Sequence, residues 1–193
     1  MRRSVYYITH PDVVVDPDVP VPRWPLSSRG RERMAALARQ PWLYGVKAIY
    51  SSDEQKAVDG GTILSEITGA PHSIRPELGE NDRDATGYLP PPEFETAVAA
   101  FFGRPLESYR GWERAVDAQA RTIETIADIC QHTDDDGAIA IVAHGGVGAL
   151  LLCHLQGGPI SIDASQPGRN GGNYLHFEMP DWRLIEGWRP IDG

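Results

Sequence analysis

Two kinds of hydrophobic pattern alternate along the chain. Residues 4–9, SVYYIT, form a continuous apolar, aromatic and β-branched run, the pattern of a strand covered on both faces. VKAIYSS (46–52) predicts a second strand, and GAIAIVAH (137–144) a central one, again without polar alternation. Helical spacing fills the intervals. Ser27 and Ser28 are cap candidates for a helix with Met34, Leu37 and Ala38 on one side. A second helix is predicted over 53–68, closed by Gly69, and a modest one over 93–102. Trp112, Val116, Gln119, Ile123, Ile126 and Cys130 recur at steps of three or four, which predicts an amphipathic helix with one core face. GGVGALLLCHL (145–155) reads as a buried helix.

The remaining segments are less regular. HSIRPEL (72–78) is a short strand or extended piece cut by Pro76. Residues 157–172 are a loop with at most one short strand. NYLHFEM (173–179) and WRLIEGW (182–188) predict two strands around Pro180–Asp181. GENDRDATGYLPPP (79–92) is polar and aperiodic, a long loop of the kind that often carries function. The alternation predicts one domain over 1–193, a three-layer α/β/α sandwich with a mostly parallel central sheet.

Composition narrows the function classes. The 193 residues are enough to bury roughly 70% of the unfolded surface. A formal net charge of -9 argues against non-specific nucleic-acid binding, which needs a basic face, but it leaves room for a local cationic pocket. Cys130 and Cys153 lie in apolar helical patterns and read as buried, reduced thiols. No metal-ligand spacing and no cofactor motif is present. The apolar stretch near the start is too short for a secretory segment, and no run reaches the ~20 residues that span a bilayer. The expectation is a cytoplasmic protein without membrane contact; a homo-oligomer stays open.

Two predicted strands each deliver a histidine to their C-terminal tip, His10 and His144. In open α/β sheets ligands bind beyond those ends. Gly145 and Gly146 then open a helix whose N-terminal amides attract anions. From the residues alone two readings stand side by side: a phosphate pocket, or two hydrogen-bonded structural histidines. The other four histidines, His72, His132, His154 and His176, have no motif around them and read as surface or satisfied core residues.

Five segments in order resemble the histidine phosphatase superfamily, in its phosphoglycerate mutase-like branch. They are the strand ending in His10, PLSSRGRERMAALA (25–38), YSSDEQKA (50–57), PELGENDR (76–83) and VAHGGV (142–147). The resemblance implies that His10 is the nucleophile that takes the phosphoryl group. Glu80 would be the general acid, a role that wants a raised carboxyl pKa. His144 would contact phosphoryl oxygens, Ser51 and Ser52 would shape the strand end, and Lys56 would stand in for the family's second arginine. Thr9, Lys56, Gly145 and Arg23 are the candidate anion-binding positions.

The sequence also departs from the family. Its Arg-His-Gly is Thr-His-Pro here. Thr9 lacks the fork that grips phosphate, Pro11 has no N–H, and Lys56 keeps charge without the fork. Asp16 replaces a usual asparagine. Arg23, Arg75 and Arg83 are the nearby replacement cations, each expected at the surface. The resemblance therefore implies low phosphatase-like activity on a small phosphorylated metabolite or other anion, without a metal. The alternatives are a catalytically silent relative that binds a ligand or protein partner, and mutase-type phosphoryl transfer.

Overall fold

The computed structural model describes residues 2–193. Six strands form one sheet: β1 (Arg3–Thr9), β2 (Val46–Ser51), β3 (His72–Ile74), β4 (Ala138–Ala143), β5 (Asn173–Met179) and β6 (Arg183–Pro190). Their order across the sheet is β3-β2-β4-β1-β5-β6. The four strands from β3 to β1 pair in parallel, while β5 and β6 extend the sheet antiparallel beyond β1. The sheet is mixed, with the parallel part at the end that matters chemically.

Five helices cover it: α1 (Ser28–Ala36), α2 (Gln55–Thr68), α3 (Pro91–Gly103), α4 (Ala115–His132) and α5 (Gly145–Leu155). The strands explain why there are three layers. In β1, Val5 and Tyr7 point to one face and join a core with residues of α3, α4 and α5. Tyr6 and Ile8 point to the other and pack with residues of α1 and α2. A period of two with apolar residues on both sides requires cover on both sides. No helix is long and apolar enough to cross a membrane among the described residues.

Local signals fall close to expectation. The Ser27 hydroxyl accepts the Gly30 N–H as the cap of α1, and Gly69 closes α2 at φ 73°. Three readings need correction. The buried stripe of α4 is Ala115, Ala118, Thr122, Ile126 and Ile129. Val116, Gln119, Ile123 and Cys130 flank it half-buried, and Trp112 sits in the core ahead of the helix. Cys130 is therefore only half-buried, whereas Cys153 is buried; both are free thiols. Residues 157–172 hold a single turn of 3-10 helix at Ile162–Ala164 rather than a strand.

Candidate active site

Register builds the site. β1 and β4 run parallel with Thr9 opposite Ala143, so the next residue of each strand, His10 and His144, emerges at the same tip. The His10 N–H donates to Ala143 O at 3.0 Å. The two imidazole centroids lie 5.3 Å apart with planes at 66°. On the far side of β4, β2 ends at the same level, and Ser52 Oγ meets His144 Nε2 at 2.7 Å. Three parallel strands thus end in His10, His144 and Ser52 around one cleft.

His10 is half-buried, and its Nδ1 lies 3.0 Å from Pro11 O. A carbonyl only accepts, so Nδ1 carries the hydrogen and Nε2 keeps its lone pair. The proline that removes an N–H still supplies the carbonyl that fixes this tautomer. Burial, with the neighbouring His144, pushes the His10 pKa down to about 3, so the ring is neutral.

His144 is completely buried. Tyr7 Oη donates to His144 O at 2.9 Å and accepts its N–H at 3.2 Å, which anchors the backbone there. Nε2 also lies 3.3 Å from Glu54 Oε1, while Nδ1 is buried with no partner among the described residues. Burial lowers the His144 pKa, against the pull of Glu54 and Glu80.

The Glu80 carboxylate reaches the cleft from the long loop. It accepts the Gly146 N–H through Oε2 and the Val147 N–H through Oε1, both at 2.9 Å. A Cβ on Gly146 would stand 2.6 Å from Glu80 Oε1, so this glycine makes room for the carboxylate. The expectation of a raised pKa is corrected here. Burial pushes the carboxyl up, but Arg83, His144 and the Gly146 N–H outweigh it and leave the pKa below its ordinary value. The loop is braced by Arg121, whose guanidinium donates to Gly79 O at 3.1 Å and Glu80 O at 3.4 Å, and pairs with Glu113 at 2.8 Å.

The expected anion-binding residues fare differently. Lys56 is buried and its Nζ pairs with the Glu54 carboxylate; it also donates to Val21 O at 2.9 Å. Its charge is thus already answered. Glu54, which the sequence reading missed, is a buried carboxylate whose Oε1 accepts the Glu80 N–H at 2.9 Å. Burial would raise it, but His144 and Lys56 bring its pKa down to about 2. Thr9 is fully buried and braces the strand end, with Oγ1 donating to Gln166 Oε1 at 2.6 Å and accepting the Asn173 N–H at 3.0 Å. Gly145 opens α5 beneath the Gln166 amide.

The other cations divide. Arg23 is exposed. Arg75 lies over the Tyr50 ring at 5.9 Å. Arg83 turns inward instead of outward: it stands 4.0 Å from Glu80 Oε2 and stacks over Phe94 and Trp112 at 5.3 and 5.5 Å. Asp16 is exposed and its Oδ1 accepts the Asp18 N–H, so it adds no charge to the cleft. On the other side of His10, Gly171 and Gly172 press against the backbone. Gly172 N–H donates to His10 O at 3.3 Å, and a Cβ on Gly171 would meet His10 O at 2.1 Å.

Known proteins share this architecture. Residues 19–178 match the histidine phosphatase superfamily (branch 1). That span includes Glu80 and His144 and begins after His10. A glucosyl-3-phosphoglycerate phosphatase of Mycolicibacterium vanbaalenii is 30% identical over 150 residues, 70% of this chain and 64% of that protein's length. The structure of a mycobacterial glucosyl-3-phosphoglycerate phosphatase with inorganic phosphate superimposes with a TM-score of 0.78 at 21% identity, covering 99% of both chains. Bacillus stearothermophilus YhfR gives 0.81 at 21% identity over 99% of this chain and 100% of its own. At such identities the two structures show a common fold.

Proposed function

The chain belongs to the histidine phosphatase superfamily, and from that premise we propose that it hydrolyses a small phosphorylated metabolite through a phosphohistidine at His10. One observation carries the reading: His10 Nδ1 is tied to Pro11 O, which leaves a neutral Nε2 with its lone pair on a ring facing that of His144. A neutral imidazole is the form that attacks phosphorus.

In the first step Nε2 bonds to phosphorus as the bond to the leaving oxygen breaks. That oxygen needs a proton, and Glu80 supplies it. The incoming phosphate dianion raises the Glu80 pKa by like-charge repulsion, so the carboxylate takes up its proton when substrate binds. In the second step water attacks phosphohistidine, Glu80 accepts the water proton, and inorganic phosphate leaves. His144 Nε2 lies 3.3 Å from the Glu54 carboxylate, which can only accept, so Nε2 carries a hydrogen. The bound phosphate's negative charge favours protonation of the ring, and Nδ1, buried without a partner, then donates to a phosphoryl oxygen. Arg83, 4.0 Å from Glu80 Oε2, offsets charge on the transferring group. None of these steps calls on a metal ion. The loop over 79–90 lacks a cluster of cations for a bisphosphate, which favours hydrolysis over mutase transfer.

A silent, ligand-binding relative is the second reading. It is favoured by Glu54, which holds Lys56, at the place of the family's second arginine, in an ion pair. The test is steady-state hydrolysis of 4-nitrophenyl phosphate in the presence of a chelator. Turnover that disappears in His10→Ala supports the enzyme. A folded parent with no turnover supports the silent relative.

A further inference from the structure

We propose that Gln166 supplies the phosphoryl-oxygen donor that Thr9 cannot, an assignment that rests on the phosphatase reading of the cleft. The orientation of the Gln166 amide is fixed by its neighbours. Asn173 Nδ2 meets two carbonyls, Pro167 O at 3.1 Å and Gly171 O at 3.3 Å, so it is a donor. The Gln166 atom that faces it at 2.9 Å must therefore be the acceptor, Oε1. The same oxygen accepts the Thr9 hydroxyl at 2.6 Å. Both bonds hold the oxygen on the Thr9 side and turn the NH2 group the other way.

That NH2 group lies over the start of α5. A Cβ on Gly145 would meet Gln166 Nε2 at 2.3 Å, so only glycine lets the amide come this close. Gln166 therefore spans from the residue before His10 to the residue after His144. Its Nε2 has no acceptor among the described residues and lies against Gly145, the residue after His144, whose own Nδ1 is buried without a partner. An amide donor without an acceptor at the mouth of the cleft between His10 and His144 matches an oxygen of a tetrahedral anion. The arrangement replaces a charged fork by a neutral donor on a rigid mount, which predisposes the cleft to a weakly held anion.

Orthovanadate binding, followed by calorimetry, tests the assignment. Gln166→Glu keeps an acceptor for Thr9 and Asn173 and replaces only the donor. Gln166→Met removes both without adding charge. If Nε2 contacts the anion, Gln166→Met binds vanadate about tenfold more weakly or worse, and Gln166→Glu more weakly still. Thermal unfolding of Gln166→Glu should stay near that of the parent. Parental affinity in folded Gln166→Glu, with binding lost in His10→Ala, overturns the Gln166 assignment and leaves the phosphatase reading standing. A folded parent that binds no vanadate overturns both. Should Gln166→Met not fold, Gln166→Glu alone decides, because its brace is intact.

Discussion

Glu80 Oε2 accepts the Gly146 N–H at 2.9 Å, so a loop carboxylate occupies the N-terminus of the helix that follows His144. In this position Glu80 is an ionised cap; on the phosphatase reading, substrate charge makes it an acid. Glu80→Gln is expected to lower kcat about 100-fold on an alkyl phosphate, within the range for loss of a general acid. On 4-nitrophenyl phosphate, whose leaving group needs no proton, the first step should be spared, so the pre-steady-state release of 4-nitrophenol should slow several-fold at most. A slowing of that first step by about 100-fold on both substrates would assign Glu80 to the cap alone.

Acid should weaken the fold through His10. Its pKa falls from 6.5 to about 3 on folding, so between those values the unfolded chain binds more protons. The stability is present in full above about pH 6.5 and drains away as pH falls toward 3. Glu54, at about 2 against 4.5, has the same sign in a lower window, from about pH 4.5 down to 2. Urea midpoints of the parent should be level above neutral pH and decline below it. His10→Gln should make the part of that decline above about pH 5 shallower without abolishing it, because buried His144, whose pKa is also lowered, pulls the same way. An equally steep decline in the variant would remove His10 as its source.

Glu54→Gln separates charge from shape. The amide oxygen can still accept the Glu80 N–H, but Lys56 is left buried with its charge unanswered. Breaking a buried pair typically costs about 3–5 kcal/mol, so the urea midpoint should fall sharply. The freed charge should tighten vanadate binding about tenfold, roughly 1.4 kcal/mol. Unchanged affinity in a folded, destabilised variant would show that Lys56 does not face the anion.

Tyr7→Phe tests how His144 is held. Tyr7 is fully buried, and its hydroxyl both donates to and accepts from the His144 backbone. Removing it strands the His144 N–H, at a cost of about 1–3 kcal/mol in urea unfolding. A change within ~0.5 kcal/mol, the span of ordinary surface substitutions, would count against this anchor.

The sequence made the strand tips readable because β1 and β4 are continuous apolar runs that stop at His10 and His144. The Thr9–Ala143 register then sets the rings side by side. What surrounds the rings was harder to read. Glu54 looks like an ordinary polar residue at a helix start, and only the tertiary approach of Lys56, Glu80 and His144 makes it a buried carboxylate. Gln166 sits in a Gly- and Pro-rich loop and meets Thr9 across 157 positions of chain, a contact no local pattern encodes. The α4 face was misread because Ala115, Ala118 and Thr122 weigh little in a hydrophobic pattern, although small residues let a helix approach closely. Arg83 has the charge of a surface residue, yet its aromatic neighbours Phe94 and Trp112 draw it inward.

Gly171 adopts φ 61° and lies where any Cβ would collide with His10 O. The position of His10 is thus gauged by a residue with no chemistry of its own. A methyl group added there would push the His10 backbone out of place, and on the phosphatase reading the damage would register as lost turnover while every reacting group stayed in the chain. In a survey of inactive variants such a lesion would pass for a catalytic one; its signature is that the imidazole still titrates and alkylates, but no longer in line with phosphorus.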